Sequence, residues 1–243
     1  MSGHSKWHNI QAHKGKQDAA RSSQFTKVAK LIAVAARSGG DPAANFSLRL
    51  AIEKAKEVGM PKDNIDRAIK RGTGELNEGA QIEEVLYEGY GPGGLAVLVK
   101  TLTDNKNRTV SDLKHLFSVA GGSLVGAGSV MWMFQQRGVI TITNEQLRSA
   151  NLAKDDFEMQ MIEAGAEDIL NVEEHVEIKT KFENFQKVIG KLKELKIEPV
   201  DSGMQWISKE KTTVDDMVRG KLENLFGSFE ENDDVEDYFT NAE

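Results

Sequence analysis

The apolar residues of this chain change their spacing once, and the change divides it into two kinds of structure. Up to residue 72 they recur three and four positions apart: Phe25, Val28, Ile32 and Ala35, then Leu48, Ala51, Ile52, Ala55 and Val58, then Ile65, Ala68 and Ile69. Such spacing places each set on one face of a helix. It predicts three short helices packed as a small bundle. The first is expected to begin at Ser22 or Ser23, whose hydroxyls can cap it, and to end at Gly39-Gly40. The second follows Asp41-Pro42 and stops at Gly59; the third starts around Pro61 to Asp63 and closes at Gly72. Thr73 to Gln81 reads as a linker.

Beyond the linker the pattern is that of strands alternating with helices. Val85 to Tyr90 and Leu95 to Leu102 predict two strands around the turn Gly91-Pro92-Gly93-Gly94. Thr109 and Asp112 give a capping-box-like start to a helix that Gly121-Gly122 ends. Val130, Trp132 and Phe134 alternate as in a strand. From Gly138 to Ser208 the order is strand, helix, two strands, helix, strand, which is that of a ferredoxin-like unit. Val214 to Phe229 then reads as an amphipathic helix, and Asp237 to Thr240 as a short strand that returns to the sheet of residues 85–135. The expected class is therefore α+β: a helical domain over 1–80, a middle α+β domain over 81–137 plus 209–243, and an inserted ferredoxin-like domain over 138–208.

Charge follows the same division. The chain has a formal net charge of -7, but residues 1–71 carry 14 Lys and Arg against 6 Asp and Glu, while residues 72–243 carry 17 against 32. A basic segment on an acidic protein implies an anionic partner. The stretch "GHSKWHNIQAHKGKQDAARSSQFTK" (3–27) concentrates the feature, with five basic residues, three histidines, one tryptophan and a single acid. Lys6, Lys14, Lys16, Arg21, Lys27, Lys30, Arg37, Arg67, Lys70 and Arg71 can neutralise phosphates and release their counterions. Neutral His8 and His13 can hydrogen-bond a phosphate or a base, and Trp7 can stack on an unpaired base. The plainer alternatives are that Trp7 packs onto the bundle and that Lys27, Lys30 and Arg37 form a solvated face opposite the apolar one.

Several classes of function find no support. There is no cysteine, so disulfides, thiol catalysis and cysteine zinc sites are excluded. No serine lies in a Gly-x-Ser-x-Gly elbow and no Walker sequence is present. The glycine-rich run 121–128 lacks the Lys-Ser/Thr of a phosphate loop and reads as the end of a helix. His4, His8 and His13 share no face in an irregular arm, so no metal is expected, nor any cofactor, small-molecule substrate or enzymatic activity. Apolar runs are far shorter than a membrane span and the N-terminus is polar, so a cytoplasmic protein without a membrane partner is expected. Residues 228–243, with seven acids and no Lys or Arg, read either as a solvated tail or as a segment that adds negative potential beside the body, so that only anions presented to the basic head are held.

The head stretch, together with "GMPKDNIDRAIKRGTG" (59–74), "YEGYGPGG" (87–94), "TDNKNRTVSDLKHLF" (103–117) and "GSVMWMF" (128–134), resembles the YebC/PmpR family over nearly the whole chain. One departure is Met131, where a small residue is expected before Trp132. The resemblance implies three domains, the last inserted in the middle one, and a cytoplasmic transcription regulator that binds promoter DNA. Related members act in translation, and the mitochondrial ones resemble translational activators. An RNA-binding translation factor, associated with the ribosome through ribosomal RNA or tRNA and helping synthesis through proline-rich stretches, is thus the alternative expectation. A basic arm bearing Trp and His suits recognition by shape and stacking.

Overall fold

The computed structural model describes residues 19–76, 81–150, 153–172 and 175–243, with side chains at all of these except 19–22 and 46. Their contacts group them into two compact units, residues 19–132 with 211–243 and residues 133–210.

The first unit opens with helix α1, described over Ala19–Ala36. The helix is already formed before Ser22, so neither serine caps it, and Ser23 lies within it. Helix α2 spans Phe46–Glu57. Asn45 caps it by accepting from the Leu48 N–H at 3.1 Å, and its amide donates to the Ala35 and Gly39 carbonyls. One side chain therefore satisfies the end of α1 and the start of α2. Helix α3 spans Lys62–Thr73 and ends on Gly74 in the left-handed conformation, at φ 81°. Gly72, expected to close α3, is instead inside it. A Cβ there would lie 2.2 Å from the Ala33 carbonyl oxygen, so only glycine lets α3 approach α1 this closely. Val28, Ile32, Leu48, Ala51, Ala55, Ile65 and Ala68 fill the bundle's core.

The same unit contains a four-stranded antiparallel sheet. Its elements are β1 (Glu83–Tyr90), β2 (Ala96–Thr103), helix α4 (Lys106–Val119) and β3 (Ser123–Val125), completed by α8 (Asp216–Glu231) and β8 (Val235–Thr240) after the second unit. Strand order is β3-β1-β2-β8. The strand expected near the C-terminal end does return to this sheet, with Leu98 opposite Phe239. Leu95, Val97 and Val99 pack with Leu113 and Phe117 of α4 and with Leu222, Leu225, Phe226 and Phe229 of α8. The Phe226 and Tyr238 rings stack at 4.4 Å. Residues 228–243 are thus helix and strand rather than a solvated tail. The apolar residues Phe229, Val235 and Tyr238 anchor them against the pull of their charges.

The second unit runs β4 (Phe134–Thr143), α5 (Asn144–Ser149), α6 (Lys154–Ala164), β5 (Ala166–Val172), β6 (His175–Thr180), α7 (Phe182–Glu194) and β7 (Asp201–Ser208). Its antiparallel order β5-β6-β4-β7 is the ferredoxin-like arrangement. Ile140, Ile142, Val176 and Ile178 pack against Phe157, Met161, Val188 and Leu192 of its helices. The strand expected at 130–134 is not formed. Met131–Met133 is a 3-10 turn, and β4 starts at Phe134. Phe134 to Arg137 pair with Ser208 to Gln205, so they belong to the second unit and not to the middle domain as expected. Helix α5 had no periodic signal because it is only six residues long; a Thr143–Gln146 capping box holds it.

Candidate nucleic-acid interface

Of the thirteen residues proposed to meet nucleic acid, Lys6, Trp7, His8, His13, Lys14 and Lys16 lie outside the described residues, as does the side chain of Arg21. The remaining six fall on α1, its C-terminal end and α3. Arg67 and Lys70 are exposed on α3. Lys27, Lys30, Arg37 and Arg71 are engaged with the sheet of their own unit.

Helical spacing aligns Ser23, Lys27 and Lys30 along one face of α1. That face is neither solvated nor open to a partner in this structure, contrary to both sequence readings. The connection between α8 and β8 covers it. The Ser23 hydroxyl donates to Asp233 Oδ1 at 2.7 Å. The Lys27 ammonium donates to the Glu230 carbonyl at 2.7 Å. Lys30, only 9 % exposed, donates to the Asp233 carbonyl at 2.9 Å and to Asp234 Oδ1 at 2.5 Å. Farther along, the Arg37 guanidinium donates to the Ile82 carbonyl, and Arg71 reaches Asp104 Oδ2 at 3.5 Å. Beneath these contacts a small apolar cluster joins Ala33 to Ile82 and Leu102.

Asp234 is the centre of this seam. It is 3 % exposed and accepts from Lys30, from Arg108 and from the hydroxyls of Thr103 and Thr109. Burial opposes its ionisation, but the hydrogen bonds from Lys30, Arg108 and Thr109 outweigh burial and hold the carboxyl below its ordinary range. Thr109 is therefore a partner of Asp234, not the helix cap that its spacing to Asp112 implied. Asn105 caps α4 instead. Lys27 shows the opposite balance. Desolvation, larger than the attraction of Asp233 and Glu230, pushes its pKa down to about 8.

The chain matches two family models. One, described as the TACO1/YebC protein N-terminal domain, covers residues 5–75, and the other, described as the TACO1/YebC second and third domain, covers 82–242. This chain belongs to the TACO1/YebC family.

Among its relatives in the TACO1/YebC family is a "Probable transcriptional regulatory protein" of Maridesulfovibrio salexigens, 48% identical over 243 residues, covering 100% of this chain and 96% of the relative. A protein of the same description from Thermotoga maritima is 46% identical, covering 100% of this chain and 94% of the relative. A conserved hypothetical protein from Aquifex aeolicus, solved as a crystal structure, superposes with a TM-score of 0.84 at 39% identity, covering 98% of this chain and 97% of that one. The break between the two TACO1/YebC models falls between α3 and β1. The seam therefore joins residues matched by different models, and no short motif could reveal it.

A second buried carboxylate in this TACO1/YebC chain also went unanticipated. Glu88 on β1 is 2 % exposed, and its oxygens accept from the N–H groups of Gly128, Val130 and Met131 at 2.6 to 2.8 Å. The loop 128–131, which begins at the last glycine of the glycine-rich run, thus cradles a carboxylate of the protein itself. These bonds take the N–H groups that a strand at 130–134 would have offered to a neighbour. Burial works against the Glu88 carboxylate, and the backbone N–H groups of Val130, Gly128, Met131 and Ser129 prevail, lowering its pKa.

Among the described residues there is no cluster of three or more His, Asp or Glu that could hold a metal, and no helix long and apolar enough to cross a membrane.

Proposed function

We propose that this chain is a nucleic-acid-binding regulator of gene expression, acting on DNA as a transcriptional regulator. Its relatives are named as probable transcriptional regulatory proteins. The observation that carries the reading is the charge division, 14 Lys and Arg against 6 acids over residues 1–71 of an acidic chain. The Ser23, Lys27 and Lys30 row on α1 belongs to that segment, although the protein's own oxygens fill it in this structure. The basic head leads directly into that row. Lys6, Lys14, Lys16 and Arg21, with Arg67 and Lys70 on α3, supply the phosphate contacts. Trp7, His8 and His13 add stacking and hydrogen bonds. In this reading the protein binds and does not catalyse. The acidic remainder of the chain keeps duplex phosphate away from other surfaces.

The Trp and His content of the head favours a second reading, in which the target is ribosomal RNA or tRNA and the role is in translation. Titration of the full chain with duplex DNA and with an RNA hairpin over a range of salt tests both. Binding should weaken steeply with salt, by a slope of about -0.9 per neutralised phosphate on duplex. Lys6→Ala should flatten the slope by about one phosphate. Trp7→Ala should leave the slope unchanged and weaken binding by about 1–3 kcal/mol if the ring stacks on a base. Salt-independent binding, or none, defeats the reading, and a strong preference for the hairpin decides for RNA.

A further inference from the structure

We propose that the segment 230–234 is an internal stand-in for a phosphodiester chain, so that nucleic acid and this segment compete for one row of donors on α1. Ser23, Lys27 and Lys30 span about 10 Å along the helix axis. Opposite them one continuous stretch of backbone presents oxygen after oxygen: the Glu230 carbonyl, the Asp233 carboxylate and carbonyl, and the Asp234 carboxylate. A nucleic-acid strand presents the same chemistry, oxyanions in succession along a chain, to the same donors. Both cannot occupy the row together.

Three features make the seam separable. First, Asp234 keeps Arg108, Thr103 and Thr109, all from the sheet side, when Lys30 leaves. Opening therefore strands no buried charge there, which is the usual obstacle to parting a buried ion pair. Second, the apolar part of the contact is small, with Ala33, Ile82 and Leu102 as its buried members. Third, Lys27 is held where its ammonium is disfavoured by desolvation, so release to a wetter, phosphate-lined site relieves it. The competition also accounts for charge. Residues 23–71 contain ten Lys and Arg against five acids, and four of those cations, Lys27, Lys30, Arg37 and Arg71, are turned onto the sheet. The closed seam withholds much of the bundle's positive charge from non-specific anions. Only a polyanion already gathered by the head is placed to displace the segment. This rests on the nucleic-acid reading above and supplies its regulation.

The test uses the full chain carrying Ser23→Cys and Asp233→Cys. The protein has no other thiol, the two native side chains meet at 2.7 Å, and loss of free thiol is checked on oxidation before binding is measured. The same preparation is titrated with a mixed-sequence DNA duplex and an RNA hairpin, oxidised and then reduced. The oxidised form should bind more weakly, and reductant should restore binding. Raising salt from ~50 to ~200 mM should cost the reduced form about tenfold more affinity than the oxidised form, because two lysines then contact phosphates. Equal affinities and slopes in the two states overturn the competition and leave the nucleic-acid reading standing. If the wild-type chain binds neither probe, the reading itself fails. Hydrogen exchange on the wild-type chain decides independently of whether the disulfide forms. Amides of residues 230–234 should exchange faster with the probe bound, and unchanged or slower exchange overturns the proposal.

Discussion

Asp234 and Glu88 are both carboxylates buried in one unit of the molecule, and both are ionised more readily than an ordinary carboxyl. They are held by different chemistry. Glu88 accepts from backbone N–H groups of a single loop, about forty residues away in sequence. Asp234 binds side chains from three elements, two of them charged. A carboxylate in a ring of backbone amides fixes the local path of the chain and can be exchanged for nothing, because its donors have no other place to go. A carboxylate held by a lysine from another helix joins two bodies, and that lysine can choose another anion. Two acids of similar burial thus serve different ends, one permanent and one exchangeable.

The largest expected effect separates these roles. Asp234→Ala should destabilise the protein by about 4 kcal/mol in chemical denaturation, since it leaves Lys30 buried without its counter-charge. Adding Lys30→Met should recover a substantial part of that loss. Full additivity of the two changes would mean that Lys30 and Asp234 are not coupled.

Glu88→Gln should cost about 2 kcal/mol, because one amide oxygen replaces two charged acceptors and the NH2 group faces a donor. It should leave the salt dependence of nucleic-acid binding unchanged. It should also flatten the acid limb of the stability curve. The folded-state pKa of Glu88 is lowered, so its contribution is complete above the ordinary carboxyl range and is lost as pH falls through the folded value. An unchanged acid limb would show that the loop, not the carboxylate, carries the stability.

The sequence allowed the helices of the bundle, strands β1 and β2 and the ferredoxin-like unit to be anticipated, because each rests on a periodic run of apolar residues. The return of β8 followed from its having no neighbour in sequence to pair with, and the three-residue β3 was too short to show. It misled where a residue's partner is remote. Asp234 stands in a run of acids, and nothing local distinguishes it from Asp233 beside it. Thr109 matched a capping pattern, yet its partner is 125 positions away. Val130, Trp132 and Phe134 alternate like a strand, but Glu88 captures the backbone there. The row of cations on α1 was readable as a basic face, in contact with either a partner or solvent. What the sequence could not show is that the chain supplies oxygens to that face itself. The one available signal was charge balance, an acidic segment long enough to answer the basic one.

A smaller effect distinguishes the two carboxylates by salt. At ~1 M salt the Debye length falls to about 3 Å. Amides of residues 230–234 should then exchange faster, while those of 128–131 should not change. Equal acceleration in both places would mean that the seam is no more electrostatic than the loop.

The smallest effect concerns Lys27, faced by Asp233, Glu230, Lys30 and Lys54. Its folded pKa of about 8 lies below the ordinary lysine value of 10.5, so between those values the unfolded chain binds more protons. Stability from this group therefore rises with pH through that window and is lowest, and flat, below it. Lys27→Met should be more stable than wild type by about 1 kcal/mol at neutral pH. The gap should narrow as pH rises toward 10. A constant gap would assign the effect to packing rather than to the proton.

The pairing of β8 with β2 also sets an order of events during synthesis. Strands β1 and β2 leave the ribosome before the whole of residues 133–210, and β8 leaves after them. Until then β2 has an unpaired edge, α4 lacks the apolar partners that α8 brings, and Lys27 and Lys30 have no oxygens to meet. The inserted unit has its own core and can fold in the interval. The nascent protein should therefore pass through a stage in which its helical bundle is at its most cationic and its first sheet is open. A chaperone or an RNA surface nearby would meet it in that state, and truncation before residue 216, which removes α8, the 230–234 oxygens and β8 together, should leave it there.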